Sequence, residues 1–159
     1  MPITVRPAKK EDHNAVERLL RQIAQLHANL RPEIFREGSR KYDEEQFAAM
    51  IQDTSTPVLV AENERGNVLG YAMLQVKCVG AAHPVLLPRT FFYLDDLCVD
   101  EAARGRGVGK ALMQGVRELA RERGIEKIEL NVWECNEAAM RFYERLGFTT
   151  QRRELELNI

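Results

Sequence analysis

Seven consecutive residues, Arg104-Gly105-Arg106-Gly107-Val108-Gly109-Lys110, combine the backbone freedom and the charge needed to hold a phosphate. They follow an apolar, strand-like run from Phe91 to Val99 and open an amphipathic, helical one from Val108 to Arg123. Glycine lets a backbone approach an anion closely, and the first N–H groups of a helix have no partner within it. Arg104, Arg106 and Lys110 add positive charge to the same turn. The stretch therefore reads as a pyrophosphate cradle. The plain alternative is a glycine-rich βα turn with solvated arginines.

Spacing discriminates between the diphosphates that such a turn could hold. A Walker A loop needs a glycine, four residues, then Gly-Lys-Ser/Thr. Gly109-Lys110 supplies the end, but Arg104 stands where the first glycine belongs and Ala111 replaces the magnesium-binding hydroxyl. A dinucleotide fingerprint starting at Gly105 fails at Lys110, which occupies the third glycine's place. The pattern Arg/Gln-x-x-Gly-x-Gly/Ala is satisfied by Arg104, Gly107 and Gly109. That pattern resembles the acetyl-CoA signature of the GNAT superfamily of N-acetyltransferases. The stretch Asn136 to Phe148, NEAAMRFYERLGF, strengthens the resemblance, which is specific from about Phe91 to Phe148. Upstream, only the order of elements matches.

The resemblance implies acetyl-CoA as co-substrate and no metal. It implies that Arg104, Gly105, Arg106, Gly107, Val108, Gly109 and Lys110 cradle the pyrophosphate. Pantetheine would pair, strand-like, with the backbone of Leu97, Cys98 and Val99. Asn136 and Tyr143 would flank the thiol end, Ala139 would also bind the cofactor, and Phe91 to Val99 would be the fourth strand, with the acidic pair Asp95-Asp96. The catalytic set is then Tyr143, Asp95 and Cys98. Tyr143, with an ordinary pKa near 10, stays protonated at neutral pH and can protonate the departing thiolate. A backbone N–H near Cys98 would polarise the thioester carbonyl. Asp95 would attract the acceptor's ammonium or take its proton, directly or through water. Cys98 and Cys135 lack an evident His partner, so attack is expected to be direct, in a ternary complex.

Each residue also has a structural role to fill. Asn136 suits a helix N-cap whatever the activity. Tyr143, beside Phe142, fits a core aromatic. On a regular strand Asp95 and Asp96 point to opposite faces, so only one would reach a given cleft.

The remaining sequence must position these groups. Apolar content of 45% and charged content of 30% are those of a soluble globular chain, and 159 residues suit one domain, 1–159. A net charge of −1 gives no footprint for nucleic acid, and no apolar run is long enough to span a membrane. The odd number of cysteines, 3, without C-x-x-C spacing, fits the reducing cytoplasm. The three histidines are scattered and read as surface or packing residues.

Apolar periodicity predicts a first strand at residues 3–6, helices at 11–30 and 43–52, and a hairpin of 57–62 with 68–79. A strand at 89–99, a helix at 108–123, a strand at 125–134, a helix at 136–146 and a last strand or strand pair at 148–157 complete the chain. The order β-α-α-β-β-β-α-β-α-β predicts an α+β fold, a mixed, mostly antiparallel central sheet flanked by helices in three layers. The polar loop 31–42, which carries Arg31, Arg36, Arg40 and Lys41, and the loop 80–88 are expected to roof the acceptor site.

The expected function is transfer of acetyl from acetyl-CoA to a primary amine, with a small amine as partner and a homodimer left open. Two alternatives stand: a catalytically silent acyl-CoA-binding regulatory domain, and a protein or peptide N-acetyltransferase.

Overall fold

The computed structural model describes residues 2–159. Strands β1 (Ile3–Pro7), β2 (Val58–Asn63), β3 (Val68–Val79), β4 (Arg89–Val99) and β5 (Ile128–Leu130) form one sheet in chain order. The first three pairings are antiparallel and β4–β5 is parallel. Helices α1 (His13–Leu30) and α2 (Glu44–Gln52) precede β2; α3 (Val108–Glu122) crosses from β4 to β5, and α4 (Glu137–Arg145) follows β5. The fold is the expected α+β arrangement.

Side-chain alternation along the strands builds a core on each face of the sheet. On one face, Leu59, Ala72, Leu74, Phe92 and Leu94 meet Val108, Leu112, Met113 and Val116 of α3. On the other, Val60, Tyr71, Met73 and Cys98 meet Val16, Leu19 and Leu20 of α1 and Phe47 of α2. Burying a side chain such as Leu112 or Phe47 contributes about 1.5–3 kcal/mol. Two glycines let α3 lie close. A Cβ on Gly70 would come within 2.8 Å of the Cys98 carbonyl oxygen, and one on Gly115 within 2.7 Å of Val5 Cγ1.

Asp12 stands next to α1 but does not cap it with its side chain. Its carboxylate accepts from the Lys9 N–H (2.7 Å) and from two nitrogens of Arg6 (2.7 and 3.0 Å). A departure from expectation lies at the far end. Residues 148–157 form no strand, and β5 is only 128–130 rather than 125–134. So short a β5 offers few ladder groups to a further strand. Side chains tie the segment down instead: Lys127 donates to Gln151 (3.3 Å) and Arg31 to Glu156 (2.8 Å).

Candidate active site

The glycine turn lies between β4 and α3. Gly105 (φ +74°) and Gly107 (φ +85°) occupy the left-handed region, which glycine enters without steric cost. Gly107 is the N-cap of α3 and carries no capping side chain; the Ala111 N–H is the first to bond back, to the Gly107 carbonyl. The N–H groups of Val108, Gly109 and Lys110 are therefore free of helical partners, at the positive end of a four-turn helix. Arg104, Arg106 and Lys110 are exposed around them. A Cβ on Gly107 would meet nothing within 4 Å, so the turn opens outward. Gly109 serves packing instead. A Cβ there would lie 3.0 Å from Phe142 Cζ, so this glycine admits α4 against α3. A cleft runs on from Gly107 and Lys110 along α3 to Gln114, Arg117 and Leu146.

Just before the turn, the sheet splits. β5 pairs with residues 92–94 of β4 and no further. Bonds alternate along an antiparallel ladder, so the Asp100 N–H donating to the Leu69 carbonyl (2.8 Å) sets its phase. Cys98 and Asp96 must then bond towards β3, while the amides of Leu97 and Val99 face the gap that β5 leaves. The Val99 carbonyl accepts there from Arg104 Nε (3.2 Å). The free N–H groups near Cys98 are thus those of its two neighbours, Leu97 and Val99.

The same phase change brings the acidic pair together. Met73 is opposite Asp96 and Leu74 opposite Leu94, so Asp95 is the extra residue of a β-bulge. The bulge cancels the expected division between faces. Both carboxylates reach one ammonium, Lys41 Nζ, at 3.4 Å from Asp95 and 3.1 Å from Asp96. Asp96 is the more enclosed, its side chain 12% exposed against 26% for Asp95. Burial pushes the Asp96 carboxyl above the usual carboxylate range, against the pull of Lys41.

Asp96 is the electrostatic centre of the site. Its charge acts on Lys41, Tyr42, Tyr71, His27, Cys98 and Tyr143. Burial and Asp96 together raise the Cys98 thiol to about 12, and its Sγ lies 3.4 Å from the Leu19 carbonyl, in the core. That thiol is neutral at pH 7 and unsuited to carry an acyl group. Burial, then Asp96, also holds the Tyr143 phenol well above the ordinary tyrosine value, so it keeps its proton. The Tyr143 ring packs edge-on between Phe142 and Phe148, and α4 is capped by Asn136, whose Oδ1 accepts from the Ala139 N–H (3.2 Å).

Four residues that join this site carry no motif: Lys41, Tyr42, Tyr71 and His27. Burial holds His27 below its ordinary pKa, and its ring stacks on Phe35 at 4.9 Å. The polarity of the loop 31–42 was the available signal for Lys41. Nothing in the sequence marks Tyr71, which is fully buried in β3.

The chain is similar to several known proteins. The model of the acetyltransferase (GNAT) family matches residues 20–148. A solved tetramutant protein from Bacillus halodurans superposes with a TM-score of 0.92 at 31% identity, covering 98% of this chain and 99% of that one. Glucosamine 6-phosphate N-acetyltransferase of Trypanosoma brucei brucei is 33% identical over 89 residues, 52% of this chain and 58% of its own length. Mycothiol acetyltransferase of Propionibacterium freudenreichii is 37% identical over 102 residues, 63% of this chain but 30% of its own length. The chain thus spans less than two thirds of either relative.

Proposed function

The chain belongs to the acetyltransferase (GNAT) family, and from that premise we propose that it is an acetyl-CoA-dependent N-acetyltransferase acting on a primary amine. We read residues 1–159 as one catalytic domain, working in the cytoplasm on a small amine. The observation that carries the reading is the placement of an open, cationic helix N-terminus beside a strand edge that has lost its neighbour. Arg104 to Lys110 would take the pyrophosphate. The amides of Leu97 and Val99 would take the pantetheine arm, as a peptide adds to a sheet edge, and Asn136 and Ala139 would bound its thiol end.

In the transfer step the acceptor nitrogen attacks the thioester carbonyl carbon. An N–C bond forms, the C–S bond breaks and the thiolate leaves. Tyr143 would supply the proton the thiolate needs. Asp96, with Asp95 beside it, would hold the incoming ammonium and accept the proton it must shed. A raised carboxyl pKa makes Asp96 a better acceptor than an unperturbed carboxylate. We assign Cys98 a packing role, because its thiol is buried and neutral.

The test is a screen of primary amines with acetyl-CoA, reading free thiol. Acceptor-dependent release by the wild type is expected. Tight CoA binding with no release to any amine, peptide or protein would instead favour a silent acyl-CoA-binding domain.

A further inference from the structure

Lys41 sits where an amine substrate would be sought. Its ammonium lies between the carboxylates of Asp95 and Asp96 (3.4 and 3.1 Å) and 5.5 Å from the Tyr42 ring centroid. Two carboxylates with an aromatic face alongside are the elements of a site for an organic cation. A second observation points to a ligand here. The Tyr71 hydroxyl, in a residue with no solvent exposure, is turned towards Asp96 but makes no hydrogen bond of full geometry to it or to any other group. A sealed hydroxyl without a partner is costly unless something else meets it.

The segment that brings Lys41 in is held by side-chain contacts rather than by a backbone ladder. The loop 31–42 contains neither helix nor strand. It rests on the rest of the molecule through Phe35, which packs edge-on against Trp133 (5.3 Å) and stacks on His27, through Arg31, which lies over Trp133 (5.5 Å) and binds Glu156, through the Arg40–Glu17 ion pair (3.2 Å), and through Tyr42 against the core. Trp133 is 39% exposed, so the support it gives is at the surface.

Taking Asp95 and Asp96, with Tyr71 and Tyr42 beside them, as the acceptor subsite, we propose that Lys41 is its resident occupant and a built-in competitor of the acceptor. Acceptor binding is then an exchange of one ammonium for another, coupled to outward movement of the loop 31–42. The proposal rests on the acetyltransferase reading and adds to it a built-in competitor that raises the acceptor concentration needed for turnover. A neutral molecule of the same shape brings no charge with which to displace Lys41.

The probe is 1,4-diaminobutane, with butane-1,4-diol as the neutral shape control. Affinity is measured by calorimetry and loop movement by the emission of Trp133, the chain's one tryptophan. The diamine is expected to bind the wild type and shift the emission saturably, and the diol to do neither. Lys41→Met should bind the diamine at least tenfold more tightly, because its competitor is gone, while Lys41→Arg should bind like the wild type. Asp96→Asn, checked for folding by circular dichroism, should lose most of the binding. The idea is overturned if Lys41→Met binds the diamine no more tightly than the wild type. It is equally overturned if neither protein binds it, if the diol matches the diamine, or if saturation leaves Trp133 unmoved. CoA binding, measured separately by thermal shift, keeps the two readings apart. If CoA still binds when the diamine result fails, the acetyltransferase reading stands without this subsite; if CoA does not bind, that reading falls whatever the diamine does.

Discussion

The Tyr143 phenol and the Cys98 thiol answer to the same two influences, burial first and the charge of Asp96 second. Both raise the two acids, leaving Tyr143 and Cys98 protonated at neutral pH. For Tyr143 this fits a general acid, whose positioned proton transfer typically contributes 10²–10⁴-fold. Tyr143→Phe should therefore lower kcat at least tenfold and leave CoA affinity nearly unchanged, as steady-state kinetics and thermal shift would report. Because its pKa is raised, the acid form persists to higher pH than for a free tyrosine. Any alkaline loss of kcat from Tyr143 should thus begin above pH ~10. A loss centred near pH 8 would assign the limb to another group. The Asn136 cap was legible in the sequence, because capping is chemistry between neighbours in the chain. The cluster of Lys41, Tyr42, Tyr71 and His27 around Asp96 was not, because it joins α1, a loop, β3 and β4.

At the scale of elements, the turn that heads α3 is the most legible feature, and its glycines divide the labour in a way spacing does not show. Gly105 and Gly107 supply the left-handed backbone, whereas Gly109 makes room for Phe142. Gly107→Asp should abolish CoA binding by adding negative charge to the cradle. Gly107→Asn, also tolerated at positive φ, should keep the fold and most of the affinity. Equal loss in both, measured by calorimetry with CoA, would assign the effect to backbone strain rather than charge. The bulge at Asp95 was not legible, since strand alternation alone sends adjacent residues to opposite faces. The expected final strand was misread for a related reason: alternation in Arg153-Glu154-Leu155-Glu156-Leu157 marks a segment able to pair, not one with a partner. Leu155 and Leu157 are 89% and 86% exposed.

The whole molecule is a sheet covered on both faces, and its first strand is tied to the rest by charge. Arg6 bridges Asp12 (2.7 Å) and Glu62 (2.7 Å), and the side chain of Asp12 is only 9% exposed. Burial opposes the Asp12 charge, but the Arg6 and Lys9 hydrogen bonds outweigh it and lower its pKa below the usual value of 3.8. The sign follows from linkage. A carboxylate with a depressed folded pKa contributes stability that is present above its unfolded pKa and is lost as pH falls through the folded one. Asp12→Asn should cost about 1–3 kcal/mol at pH 7, between exposed and buried pairs. The gap to wild type should narrow below pH ~4, the ordinary carboxylate range, in urea unfolding followed by circular dichroism. A pH-independent gap would mean that packing, not charge, holds β1.

The central claim is that the splayed edge of β4 and the open amides heading α3 together grip the acylated coenzyme. Residue-resolved amide hydrogen exchange with and without CoA tests it most directly. The account predicts that CoA slows exchange at Leu97, Val99, Val108, Gly109 and Lys110, and leaves Cys98, already bonded towards β3, unchanged. Slowing confined to other amides, with these five unaffected at saturating CoA, would contradict it.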